Sequence, residues 1–166
     1  MKEILLRPMS PRKVDAHLRG LLSYLGLKET DTLLLKYTKP RSFEPEPLNC
    51  HLNTWCQFRA EGGRPAHGWV LAQDKGQLFS EAIFHTVWES PAGKLVDTTP
   101  RLDAEKRLLF VRDRDRTVEL TSYEGRPALN TYDSVRMQGV SLVTPLRSIQ
   151  VVMQSSFAER QGLWPW

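Results

Sequence analysis

The spacing of apolar positions divides the chain into a helical first third and a strand-rich remainder. Val14, Leu18, Leu21, Leu22 and Leu25 recur at helical intervals. Ser10-Pro11 ahead of them reads as an N-cap with proline at the first helical position, and Gly26 as a C-cap, so a helix is predicted over 11–25. Thr32 to Tyr37 is a short apolar run, strand or helix. Pro40, Pro45 and Pro47 forbid regular structure from Lys39 to Leu48, and the chain reaches Asn49-Cys50 extended. A second helix is predicted to open at Cys50. Leu52, Trp55, Cys56 and Arg59 share one face of it, Phe58 flanks that face, Asn49 suits the N-cap, and Gly62-Gly63 ends it.

Beyond Gly63 the pattern becomes that of strands. Gly68 to Gln73, Ser80 to Glu89 and Lys94 to Thr99 are three such segments, with Ser90 to Lys94 as the turn between the last two. Arg107 to Arg112 and Arg116 to Thr121 read as further strands. The 125–143 region fits helix and strand equally, and 145–153 and 156–161 carry little signal. Helices followed by a run of antiparallel strands is an α+β arrangement. The expectation is one domain over 1–166, with N-terminal helices, including the cysteine-bearing one, packed on an antiparallel β-sheet.

Composition changes this picture little. Hydrophobic residues make up 40% and charged residues 25% of the 166, as in an ordinary globular domain. The net charge of +4 is spread out, and the densest run, Arg112 to Arg116, alternates in sign. A solvated turn or strand end explains that run better than a phosphate-binding patch, so no nucleic-acid partner is expected. No segment approaches a membrane span, and Met1 to Pro8 lacks the apolar run of a signal peptide. A cytoplasmic chain is expected, with delivery as a secreted effector by a signal-free route left open. The two cysteines, Cys50 and Cys56, are six apart. That is neither a disulfide framework nor a CxxC spacing, and a reducing compartment is the simple reading.

Three residues carry the chemistry. Cys50 begins a helix, where free N–H groups and the helix dipole lower a thiol pKa and bind an oxyanion. His85 lies mid-strand with Glu81, Ile83 and Val87 on its face. Asp97, costly to bury unpaired, lies on the following strand. A hairpin centred at residue 91 makes His85 and Asp97 cross-strand neighbours, so the carboxylate orients the ring and the other ring nitrogen faces a thiol.

Cysteine at a helix start, then histidine and aspartate on successive strands, resembles the papain-like and transglutaminase-like superfamily. FHTVWESPAGKLVDTTPR resembles the transglutaminase-like pattern around its histidine and Asp-x-Thr-Pro. NCHLN, GW, EAIFHTVW and VDTTP also look like a poorly characterised set of bacterial proteins with a Cys-His-x-Asn start. The resemblance covers roughly 49–101. It implies a papain-like core and a cysteine hydrolase of amide or thioester bonds (a peptidase, amidase or deamidase) acting on a protein or peptide without a cofactor. In it Cys50 is the nucleophile, His85 the base, Asp97 the orienter, and a thioester the intermediate. The backbone N–H of Cys50 is the first oxyanion donor, with Asn53 and Asn49 as further donors or supports of the helix start. Trp69, Trp88 and Glu81 are candidates for the substrate cleft, set against core packing for the tryptophans and an ion pair for the glutamate. His51 is read as a surface or structural residue, and His17 and His67 as unrelated to the site. Alternatives are an acyl or amine transferase of transglutaminase type, a zinc site drawn from Cys50, Cys56, His51, His67 and His85, and a non-catalytic binding domain that kept the fold.

Overall fold

The computed structural model describes residues 5–103 and 105–166; Met1 to Ile4, part of the stretch read for a signal peptide, lie outside the described residues. The elements in order are α1 (Ala16–Leu25), a 3-10 turn (Glu29–Asp31), β1 (Thr32–Lys36), α2 (Cys50–Glu61), β2 (Arg64–Asp74), a second 3-10 turn (Lys75–Gln77), β3 (Phe79–Glu89), β4 (Leu95–Val96), β5 (Arg107–Arg112), β6 (Glu119–Tyr123), β7 (Arg126–Tyr132), β8 (Val135–Gln138), β9 (Ser141–Thr144), β10 (Ser148–Val152) and α3 (Phe157–Arg160). The fold is α+β, with helices packed on antiparallel sheet.

The first helix begins later than the proline suggested. Asp15 is its N-cap, accepting from Leu18 N at 3.0 Å, and Gly26 in the left-handed region ends it. Ser10 instead joins two strands. Its Oγ donates to Leu71 O at 2.8 Å and accepts from Leu109 N at 2.7 Å. Thr32–Lys36 resolves as a strand, and 39–48 is irregular, as three prolines require.

The main sheet runs β1-β5-β2-β3-β8-β9, with β4 also paired to β3. Tyr37 bridges Asp97, and Thr38 N donates to Asp97 O at 2.9 Å. This joins the end of β1 to the residue after β4, so β1-β5-β2-β3-β4 curls back on itself. Leu35, Ala66, Val70, Val87, Leu108 and Phe110 fill its concave side. The outer face carries α1, whose leucines pack on Trp69, Leu71, Phe84, Leu109 and Val111. Gly68 faces His85 across the β2–β3 pair; a Cβ there would lie 2.2 Å from Val111 O and 2.5 Å from the Phe110 ring. Close approach therefore requires the glycine.

One gap in the sheet matters for function. On the edge of β3 away from β2, β8 pairs with Phe79–Ala82 and β4 with Trp88–Glu89. Residues 83–87 are left without a strand neighbour there. Helix α2 occupies that edge, and Thr54 Oγ1 donates to Thr86 O at 3.2 Å. The buried face of α2 differs from the expected one. It carries Leu52, Asn53, Thr54, Cys56 and Gln57, while Trp55 and Phe58 are exposed. Polar residues face inward because they meet strand edges and loops rather than a flat apolar sheet. A second sheet, β10-β7-β6, packs on α2 and α3 through Leu129, Met153 and Phe157. Among the described residues no helix is long and apolar enough to cross a membrane.

Candidate active site

Cys50 is the first residue of α2 and sits at the sheet gap, half-buried. Asn49 holds the N-cap position but makes no side-chain cap; its amide donates instead to Glu46 Oε2. The first backbone bond of the helix is Asn53 N to Asn49 O at 2.9 Å. The amides of Cys50, His51 and Leu52 therefore project from an uncapped helix end, the positive end of the dipole. Leu48, two residues earlier, has φ +65° and is highly exposed. A leucine in the left-handed region is sparsely populated backbone, held here by the flanking prolines and Asn53.

His85 reaches the site from the concave side of β3. Its Nε2 lies 3.0 Å from Asp97 Oδ1, and both residues are buried. The expected hairpin exists, but its register differs. Trp88 pairs with Val96 and Glu89 with Leu95, which centres the turn on Ala92 and makes Asp97 a diagonal rather than a direct neighbour of His85. Pairing then stops, because Asp97 turns away to bridge Tyr37. Its Oδ1 also accepts from Thr99 N at 3.1 Å, which fixes the carboxylate.

With Nε2 on Asp97, the Nδ1 side of His85 is left for the thiol. His51 and His85 are the two imidazoles that act on the Cys50 thiol. Burial alone would raise the thiol pKa, but the charges and hydrogen bonds of the two imidazoles overcome it and hold Cys50 well below the ordinary thiol range. Burial likewise disfavours the His85 cation, yet the Cys50 thiolate and the Asp97 carboxylate push it up to about 10. The favoured resting state is a thiolate–imidazolium pair. Cys56 is the contrast: burial pushes its thiol up to about 11.

Asn53 is fully buried and joins three segments. Its Oδ1 accepts from Glu46 N at 3.0 Å, and its Nδ2 donates to Glu46 O at 2.8 Å and to Thr99 Oγ1 at 3.1 Å. It ties the loop before Cys50 to the loop after Asp97, and is a support rather than an oxyanion donor. Glu46, which the sequence did not single out, extends this support by accepting from Ser155 Oγ at 2.7 Å and Arg160 Nη2 at 3.3 Å. No sequence signal marks it, because its partners lie more than a hundred residues away.

The other candidates divide. Trp69 is wholly buried in the core, its Nε1 donating to Asp113 Oδ2 at 2.8 Å, and does not line the cleft. The run from Arg112 to Arg116 is a strand end, since β5 stops at Arg112, but it is not wholly solvated: Asp113 is buried and accepts from Arg116 Nη1 at 2.6 Å. Trp88 donates to Gly62 O at 2.8 Å and borders a different groove, beside Thr98 and Lys94. Glu81 pairs with Arg136 Nε at 3.2 Å. His17 is exposed on α1, away from the site. Among the described residues no three His, Cys, Asp or Glu side chains form a metal-sized cluster.

The cleft at Cys50 encloses about 260 Å3 and is walled by Leu48, Leu52, Phe84, Leu129, Ile149 and Val151. A larger, more polar cleft of about 420 Å3 shares Thr131, Tyr132 and Ile149 with it but lacks the cysteine. Of these two clefts, the smaller is the one that Cys50 lines. Comparison of the chain with protein families, with curated proteins and with solved structures gave no match.

Proposed function

We propose that this chain is a cysteine-dependent hydrolase of amide or thioester bonds, built on a papain/transglutaminase-like core and acting on a protein or peptide. One observation carries the reading. A buried imidazole binds a buried carboxylate through one nitrogen, 3.0 Å away, and its charge helps hold the Cys50 thiol well below the ordinary thiol range. The Cys50 thiolate attacks a carbonyl carbon, and the backbone N–H of Cys50 binds the oxygen that gains the electron pair. His85 gives its proton to the leaving amine or thiol, leaving a thioester on Cys50. Water then attacks the thioester, His85 takes the water proton, the carbon–sulfur bond breaks, and the thiolate is restored. Asp97 holds the ring and stabilises its cation throughout. Both cysteines are free thiols, which suits a reducing compartment. Water is the favoured acceptor, because no second-substrate motif accompanies the triad.

The test is to trap an acyl adduct on Cys50 in cell extract and identify it by mass, with Cys50→Ala as control. Asp97→Asn should lower turnover of the trapped substrate about 10²–10⁴-fold, the range of a general acid–base system. Adducts that form equally on the Cys50→Ala chain would refute the assignment and favour a binding domain.

A further inference from the structure

The side-chain amides of Asn49 and Asn53 are both bonded to Glu46, so neither is free to join the Cys50 N–H as an oxyanion donor. The unassigned side chain beside the sulfur is His51, which lines the same cleft. Its Nδ1 contacts Thr86 Oγ1, and that hydroxyl lies 2.8 Å from His67 Nδ1. Thr86 is completely buried.

A hydroxyl has one proton. Between two neutral imidazoles it donates to one Nδ1 and accepts from the other Nδ1–H. Two arrangements satisfy this, and the charge in the cleft selects between them. His51 shares its cleft with Cys50, and there the sulfur and the attacked oxygen are negative. A nitrogen lone pair there repels, and an N–H attracts. Thr86 therefore donates to His51 Nδ1, His67 Nδ1–H donates to Thr86, and His51 carries its proton on Nε2. Burial lowers His67 to about 4 and keeps that ring neutral at physiological pH. In the free protein His51 Nε2 has Thr131 Oγ1 at 3.4 Å, a long contact that a substrate oxygen can replace.

We propose that His51 is a catalytic residue whose Nε2–H, with the backbone N–H of Cys50, forms the oxyanion hole, and that Thr86 and His67 are positioning residues that fix its tautomer. The inference rests on Cys50 being the nucleophile. As the Cys50 sulfur bonds to the carbonyl carbon, the C=O π pair moves to oxygen and is held by these two donors. The pair returns when the tetrahedral intermediate expels the leaving group, which takes its proton from His85.

Two reactions of Cys50 separate the roles: acylation by p-nitrophenyl acetate, which builds an oxyanion, and alkylation by iodoacetamide, which does not. Both are measured where the thiolate is fully formed. His51→Leu should lower acylation about 10²–10³-fold and leave alkylation within about threefold, while His51→Gln, which keeps an N–H, should recover part of the loss. Thr86→Val should lower acylation about tenfold and Thr86→Ser restore it, since only the serine keeps the hydroxyl. This near-isosteric pair carries the test if His51→Leu does not fold. Equal losses in both reactions, or Thr86→Val matching Thr86→Ser, would overturn the role of His51. Alkylation of Cys50 that is no faster than that of Cys56 and unchanged by His85→Ala would overturn the nucleophile itself.

Discussion

The Cys50 sulfur lies between two imidazoles, and this dictates its response to pH. Because its pKa is held well below the usual thiol range, the thiolate exists through neutrality. Iodoacetamide labelling of Cys50 should be fast and flat between about pH 7 and 9, where a free thiol near 8.5 would still be rising. In His85→Ala the profile should steepen toward that of an ordinary thiol. Cys56, buried and pushed up to about 11, should remain unlabelled in the folded chain; mass mapping of the two cysteines checks both expectations. At this scale the sequence was informative where one residue type was costly in its place. Aspartate in a strand and histidine in an apolar run each demanded a partner, and each is the other's. It was silent on His51, because a histidine next to a cysteine has no pattern of its own until Thr86 and His67 fold against it.

Among elements, helix α2 and strands β2 and β3 set the geometry. Asn53→Ala removes three hydrogen bonds and takes away the partner of the Glu46 N–H. It should cost about 2–4 kcal/mol in denaturant unfolding and slow Cys50 labelling as the preceding loop loosens. Gly68→Ala should cost about 1–3 kcal/mol or more, because the new methyl meets a carbonyl at 2.2 Å and neither strand can retreat without breaking register. The boundaries of α2, β3 and β5 followed from periodicity and glycine stops, since these elements are long or strongly patterned. The hairpin register did not. Symmetry about a turn assumes that pairing continues, and here it stops at Val96 because Asp97 is drawn to Tyr37.

For the whole molecule, the ion pair links stability to pH with a definite sign. His85 is raised from 6.5 to about 10, so its contribution is complete below 6.5 and is lost as pH rises through 10. Cys50 is lowered from 9.0, so its contribution is complete above 9.0 and is lost as pH falls toward its folded value. The two slopes cancel between 6.5 and 9.0, because folding there only moves a proton from sulfur to nitrogen. Urea titrations should show the stability difference between the wild type and Cys50→Ser level across that window and shrinking on both sides. The overall class was legible, since helices and strands are grouped along the chain. The second sheet was not: β6 and β10 are short, largely exposed strands, and Pro127 interrupts the pattern of β7 between them.

The helix that carries Cys50 also fills a place where, among the described residues, a strand is missing, along residues 83–87 of β3. One element thus both arms the site and caps a sticky border. A lesion that unseats it would bare open ladder groups in a run rich in isoleucine, phenylalanine and valine, the kind of template on which chains aggregate. Damage there should therefore be seen first as precipitate, before any soluble but inert protein can be assayed.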